Sequence, residues 1–376
     1  MEILTISQMI MFPAPIGSQK LLCSQDQRHV SRRLLMASVL ALAACGDTTA
    51  ASAVDVAPLK SKASFSIGTA AMAGQFDDTD WVNLALTHFS QLTPEWEMKM
   101  EYILASPGNY RWDAPDRIAD FCSTHGLRLH GHALIWYAQG AEVFANLDPT
   151  TFVAEFDRYI AQVAGRYRGR VAGWDVVNEP VAEDGNGLRD CHWSRVLGQD
   201  GHIARAFEQA KAADPDAVLF LNDYDLENIP AKGATFLRLV ERLLAAGVPI
   251  EGIGTQSHLD IEIPGGQIAA FIGEAAQFGL PIHVSELDAS LRSGSLIDTR
   301  SNQTRIKQQT ARVTELAEAF AALPPAQRYA FTVWGIRDTD SWLRRDAGDD
   351  SSESPLLFDL AGAPNPMFGA VAGSFR

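Results

Sequence analysis

Two glutamates occupy corresponding places in two short apolar segments of this 376-residue chain. Glu179 closes the run W-D-V-V-N-E, and Glu286 lies in the run I-H-V-S-E-L-D. A strand that ends in a glutamate delivers a carboxyl group to the edge of a sheet, where a cleft can form. Glycoside hydrolysis needs two such groups across the scissile bond, one as an acid and one as a base or nucleophile. Each glutamate alone is more typical of a surface salt bridge, so the hypothesis depends on the pair.

Elements that would position the pair alternate along the chain. Apolar runs predict eight strands, and amphipathic stretches between them predict helices. Eight βα units favour a single-domain α/β fold, the (β/α)8 barrel, with a doubly wound sheet as the alternative. The predicted strands are 64–69, 87–93, 128–135, 172–177, 218–222, 252–257, 281–286 and 329–334, and the clearest helices are 114–125, 151–168, 202–213, 232–247, 267–278 and 302–322.

Polar and aromatic residues collect where these predicted strands end. In a (β/α)8 barrel the functional side chains lie at the carboxyl ends of the strands and in the loops that follow. Seven successive ends carry such clusters, which is difficult to attribute to structure alone. The clusters are 95–99, 130–139, 178–179, 222–224, 256–258, 286–288 and 334–338, the last followed by Trp342.

The motifs in these clusters resemble glycoside hydrolase family 10, the retaining β-1,4-xylanases, over roughly residues 64–370. The resemblance rests on W-D-V-V-N-E, S-E-L-D, G-H-A-L-I-W, G-I-G-T-Q-S-H-L and T-V-W-G, in the family's pattern. It implies endo-hydrolysis of β-1,4-xylosidic linkages, with xylan or a xylo-oligosaccharide as the substrate. It implies neither a metal nor another cofactor.

The resemblance also implies roles for individual residues. Glu179 corresponds to the acid/base, which protonates the leaving oxygen, and Glu286 to the nucleophile, which must be ionised. Asn178 would bind the 2-hydroxyl of the sugar. His258 would contact the nucleophile, with Asp288 orienting its ring.

Further family positions are those that bind sugar, and tryptophans among them can pack on the apolar face of a pyranose. Three departures from the family pattern concern fine substrate preference or structure rather than the reaction. Trp96 replaces an asparagine that contacts the second sugar on the glycone side, Tyr137 replaces a common histidine, and Asn365 replaces a common lysine. The sugar-binding positions are Glu95, Lys99, His132, Trp136, Gln139, Gln256, Trp334 and Trp342.

Composition limits the partners. The chain is 47% hydrophobic and 20% charged, with a net charge of −15. An acidic surface repels nucleic acid and anionic membranes, so we expect neither as a partner, whereas a neutral or weakly acidic polymer is compatible. We expect a monomer. Cys122 and Cys191, the two cysteines beyond the first segment, fit no metal motif and are either a disulfide or buried thiols.

Residues 1–53 are typical of a bacterial export signal. Arg32 and Arg33 precede an apolar run that is too short to span a bilayer permanently. The arginine pair resembles that of a bacterial twin-arginine signal. The run ends in L-A-A-C, which resembles a lipoprotein cleavage box with Cys45 as the lipidated residue and membrane tether. The alternatives are therefore a periplasmic or outer-membrane-anchored lipoprotein and free secretion. Residues 54–62 are predicted to be a linker, and 63–376 the catalytic domain.

Other functions compete with this hypothesis. A retaining β-glycosidase acting on another β-glycan or on short xylo-oligosaccharides would use the same residues. A metal-dependent barrel hydrolase would use His130 and His132, spaced as a zinc-binding pair on one strand face. A non-catalytic carbohydrate-binding barrel would keep the tryptophans and amides without needing both glutamates.

Overall fold

The computed structural model describes residues 56–292, 298–345 and 353–375, all within one unit that covers 55–376. The predicted export signal, 1–53, lies outside the described residues. Of the predicted linker, only 56–62 is described, and a short 3-10 turn there, Leu59–Ser61, places Leu59 in the core.

Eight parallel strands close into a barrel. Each strand pairs with its neighbour in chain order, and the last strand pairs with the first, with Ser66 opposite Ala330. This confirms the predicted (β/α)8 barrel. The strands are β1 Ser66–Ala71, β2 Gln91–Pro94, β3 Arg128–Trp136, β4 Val171–Asn178, β5 Val218–Asp223, β6 Gly252–Thr255, β7 Ile282–Ser290 and β8 Arg328–Val333.

Helices connect successive strands around the outside. Side-chain caps begin several of them: Asp78 accepts from two backbone amides of the first helix, and Asn365 does so for the last. The cap explains Asn365 as a structural residue. The main helices are α1 Thr79–His88, α2 Asp113–His125, α3 Pro149–Arg166, α4 Gln199–Ala213, α5 Pro230–Ala245, α6 Gln267–Ala276, α7 Asn302–Ala321 and α8 Pro366–Ser374.

Short elements decorate the loops. Helical turns lie at Ala73–Asp77, Met100–Ile103, Ala141–Phe144, His192–Leu197, Pro325–Gln327, Asp338–Asp340 and Trp342–Arg344. An antiparallel hairpin joins Leu104–Ser106 to Asn109–Tyr110, and the strand His258–Asp260 runs parallel to the upper part of β7.

Strands covered on both faces can consist of nearly continuous apolar runs, and β5 and β8 are largely of this kind. Packing between strands fixes small residues as well. A Cβ on Gly131 in β3 would lie 2.1 Å from the ring of Trp174 in β4, so a glycine is required there. Trp174 itself is fully buried. The tight core therefore holds β3 and β4 together, directly below the ends that carry the site.

Most predicted elements match, and the exceptions are informative. The predicted strand 87–93 began too early, because 87–88 are the last residues of α1. The predicted strand 252–257 ended too late, because β6 stops at Thr255 and Ser257 has a left-handed backbone with φ of 58°. β7 continues to Ser290, so Glu286 lies within this strand rather than at its last residue.

Cys122 and Cys191 are both buried and unpaired, which answers the disulfide alternative. Among the described residues, none of the helices combines the length and hydropathy that a membrane crossing requires.

Candidate active site

Glu179 directly follows β4, and hydrogen bonds fix both its backbone and its side chain. Its φ is 59°, in the left-handed region that non-glycine residues rarely adopt, and its amide donates to the carbonyl of Asn222 at 2.8 Å. Such conformations persist where the surroundings enforce them, and they concentrate at functional sites. The left-handed turn takes the chain out of the strand just as the carboxyl group reaches the barrel end.

Three neutral donors orient the carboxyl group of Glu179. Trp136 Nε1 donates to Oε2 at 2.7 Å. The side-chain amides of Asn178 and Gln256 each donate to Oε1 at 3.0 Å. The group is 8% exposed. It is therefore almost enclosed, and within the described part of the chain the side chains that donate to it are neutral.

Glu286 has different surroundings. Asn222 donates its amide to Oε1 at 3.0 Å, while His132 Nδ1 lies 3.9 Å from Oε1 and His258 Nε2 lies 3.6 Å from Oε2. Burial raises the pKa of Glu286, but the positive charges of His132, His258 and Lys99 outweigh it and hold the pKa below its usual range. The surroundings of Glu286 therefore favour its ionised form.

A carboxylate orients the histidine that faces Glu286. Asp288 Oδ1 lies 2.9 Å from His258 Nδ1, and Trp342 Nε1 donates to Asp288 Oδ2 at 2.8 Å. Burial lowers the pKa of His258, but Asp288 and Glu286 outweigh it, and the pKa lies well above its usual value. The structure thus places His258 between Asp288 and Glu286.

Lys99, after β2, stands among aromatic rings. Its Nζ lies 4.8 Å from the ring centroid of Trp136, 6.0 Å from that of Trp334 and 4.7 Å from that of Trp96. Burial lowers the pKa of Lys99, although the negative charges of nearby glutamates oppose the shift. The ring of His132 lies edge-on to Trp334, with their centroids 5.3 Å apart. These residues form one surface beside Glu286, suited to a sugar ring.

The side chains of two other predicted sugar-binding residues form hydrogen bonds within the protein. Gln139 Oε1 accepts from the amide of Glu101 at 3.1 Å, so it braces the loop after β2. Both oxygens of Glu95 accept from Arg345 Nη2, at 2.9 and 3.0 Å. Burial raises the pKa of Glu95, and Arg345 opposes this. Trp342 remains the most accessible of the predicted tryptophans and is 36% exposed.

The two histidines of the possible zinc pair share one carboxylate. Asp175 lies between them: Oδ1 is 3.1 Å from His130 Nε2, and Oδ2 is hydrogen-bonded to His132 Nδ1 at 2.8 Å. His130, Asp175 and His283 bring ligand atoms within 4.8 Å of one another, all buried inside the barrel. His132 belongs to the site beside Glu286, whereas His130 lies deeper and contacts the hydroxyl of Tyr329 at 3.2 Å.

Three contributors were missed or undervalued in the sequence. Asn222 lies in one of the predicted strand-end clusters without an assigned role, yet its side-chain amide donates to Glu286 directly. Arg345 has no local signal, because its partner Glu95 lies 250 residues away in the chain. Arg189 donates Nε to the carbonyl of Glu179 at 3.0 Å, and its guanidinium lies 4.1 Å from the ring centroid of Tyr137. Charged residues in long loops carry no periodicity that would have revealed them.

Comparison with known proteins agrees with this geometry. Residues 58–374 match the profile of glycosyl hydrolase family 10. The chain is 34% identical over 345 residues to endo-1,4-beta-xylanase A of Cellvibrio japonicus, covering 83% of this chain and 56% of that protein. It is 32% identical over 323 residues to exoglucanase XynX of Acetivibrio thermocellus, covering 82% of this chain and 28% of that protein.

A fungal relative is matched over most of its length. Endo-1,4-beta-xylanase 3 of Hypocrea jecorina is 32% identical over 318 residues, with 84% of each chain covered. Several other curated relatives are much longer, and the chain spans between 26% and 56% of the length of five of them.

Solved structures share the fold. A thermostable mutant of the Cellvibrio japonicus xylanase Xyn10A superimposes with a TM-score of 0.77 at 32% identity, covering 84% of this chain and 99% of that one. A family 10 structure from Paenibacillus barcinonensis gives a TM-score of 0.79 at 29% identity, covering 86% and 99%. With its profile, its relatives and the solved structures in agreement, the chain belongs to glycosyl hydrolase family 10.

Proposed function

We propose that this protein cleaves β-1,4-xylosidic linkages in xylan and xylo-oligosaccharides by double displacement, with Glu286 as the nucleophile and Glu179 as the acid/base. The observation that carries the proposal is the difference between the electrostatic surroundings of the two carboxyl groups. Cationic side chains surround Glu286 and favour its ionised form, whereas neutral donors surround Glu179. Pairs of carboxyl groups with such different surroundings take different catalytic roles.

In the first displacement, an oxygen lone pair of Glu286 attacks the anomeric carbon. The bond between that carbon and the leaving oxygen breaks, and the proton of Glu179 moves to the leaving oxygen. In the second displacement, Glu179 removes a proton from water, the water oxygen attacks the anomeric carbon, and the bond to Glu286 breaks. Two inversions give net retention of configuration.

Neighbouring residues support both steps. Asn178, next to Glu179, has its amide oxygen held by donors from Asn222 at 2.9 Å and from Gln256 at 3.2 Å. An amide fixed in this way is suited to a sugar 2-hydroxyl, a contact that strengthens as positive charge develops on the ring. Exposed Trp342 offers an apolar face for a further sugar.

The test of mechanism is the anomeric configuration of the first product, followed by NMR immediately after enzyme is added to a xylo-oligosaccharide. The proposal requires that the β-anomer form first and then mutarotate. If the α-anomer forms first, water attacks the substrate directly and Glu286 is not a nucleophile.

A second candidate is hydrolysis of another β-glycan, which is favoured by the similarity to a protein named as an exoglucanase. The comparison of kcat/KM on xylan, cellulose and mixed-linkage β-glucan decides between the two. We expect xylan to be preferred, and preference for a glucan would replace xylan as the substrate while leaving the roles of the glutamates intact.

We also propose that residues 1–53 direct export and that a lipid on Cys45 tethers the protein to the membrane. We further propose that the protein is a monomer. The support is the twin arginine and the L-A-A-C box in the sequence. A Cys45→Ala variant expressed in a bacterial host should move from the membrane to the soluble fraction. If the wild-type protein and the Cys45→Ala variant divide equally between the membrane and soluble fractions, free secretion is favoured. Light scattering of the purified protein tests whether it is a monomer.

A further inference from the structure

The glycone end of the cleft can be located from the proposed chemistry. The sugar attacked by Glu286 lies over this carboxyl group, and the departing sugar extends past Glu179. Of the glutamates whose charges act on Lys99, Glu286 contributes most, ahead of Glu179, and Lys99 packs near Trp136 and Trp334. The loop after β2, which carries Lys99, therefore borders the glycone sugar.

A bulky aromatic pair stands in this loop. The ring of Trp96 lies over the ammonium of Lys99, at 4.7 Å, and 5.9 Å from the ring of Tyr102. Trp96 is partly exposed, and Tyr102 is 38% exposed. The pair thus reaches the barrel surface immediately beside the residues that would hold the first glycone sugar, where an extended chain would have to continue.

An ion pair joins the same loop to the loop after β8. Arg345 Nη2 donates to both oxygens of Glu95, which is only 4% exposed, and also to the carbonyl of Asp340. Because β8, β1 and β2 are neighbours in the barrel, this contact closes the rim above β1. A charge-assisted contact of two oxygens on one guanidinium resists separation more than a neutral hydrogen bond does.

We propose that Trp96 and the Arg345–Glu95 ion pair restrict the glycone side of the cleft beyond the first sugar. Short xylo-oligosaccharides are then cut mainly at the linkage nearest their non-reducing end. The inference rests on the proposed function, since it concerns how the same site accommodates its substrate. Trp96 and Arg345 are specificity-determining residues in this account, and they take no part in the displacement itself.

The test uses xylotetraose labelled at its reducing end, with the labelled products quantified early in the reaction. Wild-type enzyme should give mainly labelled xylotriose. Trp96→Asn should shift cleavage inward, raising the ratio of labelled xylobiose to labelled xylotriose by roughly tenfold, the scale of one altered apolar contact. Arg345→Ala should shift it in the same direction. Trp96→Phe keeps an aromatic wall and should retain the wild-type pattern, and melting curves check that each variant is folded.

Two results would overturn the inference. One is central cleavage by the wild-type enzyme with a pattern that Trp96→Asn does not change. The other is a Trp96→Asn variant with a higher KM and less inward cleavage, which would make Trp96 a platform that stacks on a second sugar. Failure of the wild-type enzyme to hydrolyse any xylo-oligosaccharide would instead reject the proposed function, so the two failures are distinguishable.

Discussion

Gln256 is bonded to Glu179 through its side chain, whose amide nitrogen donates to Oε1 at 3.0 Å. The same residue accepts at its backbone carbonyl from the amide of Glu286, also at 3.0 Å. One residue after β6 therefore sets the positions of both glutamates at once. Any displacement of Gln256 changes the separation of the two groups across the scissile bond.

Glu227 holds the residues on either side of Gln256. Its Oε1 accepts from the hydroxyls of Thr255 and Ser257, both at 2.6 Å, and it is fully buried. Burial raises the pKa of Glu227. We predict that Glu227→Ala lowers kcat on xylan by roughly a hundredfold, the cost of a small misplacement of catalytic groups, with little change in KM. Glu227→Gln, which keeps an acceptor, should recover most of the loss. A folded alanine variant with wild-type kcat would show that Gln256 needs no such brace.

Removal of the proposed acid/base should lower the reaction rate by a factor that depends on the leaving group. Glu179→Ala cannot protonate the leaving oxygen, so we predict a loss of roughly 10²–10⁴-fold on xylan. Glycosides with a dinitrophenyl leaving group need no proton, and their first step should be nearly unaffected. The measurement is the burst rate on the aryl glycoside beside kcat on xylan. Equal losses on both substrates would contradict the role given to Glu179.

The charge of His132 should be visible in the pH profile. Burial raises the pKa of Glu286, and His132, with Nδ1 at 3.9 Å from Oε1, contributes most to lowering it below its usual range. His132→Asn removes that charge, so the pKa of Glu286 rises and less of the ionised form is present at acidic pH. We predict that the acidic limb of kcat/KM on an aryl glycoside moves to higher pH. An unmoved acidic limb would assign it to another group.

The buried ion pair of Lys232 and Asp223 should make a large contribution to the free energy of unfolding. Lys232 Nζ lies 3.2 Å from Asp223 Oδ1, both fully buried, and Asp223 Oδ2 accepts from the amide of Val181 near the acid/base. We predict that Lys232→Met lowers the free energy of unfolding by about 3–5 kcal/mol at pH 8, because it strands a buried charge. The double variant with Asp223→Asn, which keeps the acceptor, should be more stable than Lys232→Met alone.

The same pair has a pH signature. Burial raises the pKa of Asp223 to about 7, even with Lys232 beside it. A carboxyl group whose pKa is raised in the folded state adds stability at low pH, and that stability is lost as the pH rises through its folded pKa. The destabilisation by Lys232→Met, measured by urea unfolding, should therefore be smaller at pH 5 than at pH 8. A loss independent of pH would indicate a packing defect instead.

Most strands, and the placement of Glu179 and Glu286 at one end of the barrel, were predictable because their signals are local. β5 and β8 are largely apolar runs, and W-D-V-V-N-E ends one residue after β4. What the sequence did not reveal depends on contacts between distant segments. Arg345 meets Glu95 only because the barrel closes, and β7 extends past Glu286 only because His258–Asp260 pairs with its upper part.

The most direct test of the double displacement is covalent trapping of its intermediate. A 2-deoxy-2-fluoro xyloside with a dinitrophenyl leaving group slows the second step more than the first, so the glycosyl-enzyme accumulates. Peptide mass spectrometry of the inactivated protein then identifies the labelled side chain. We predict one sugar per protein, attached to Glu286. Labelling of a different residue, or turnover with inversion and no labelled protein, would contradict the account.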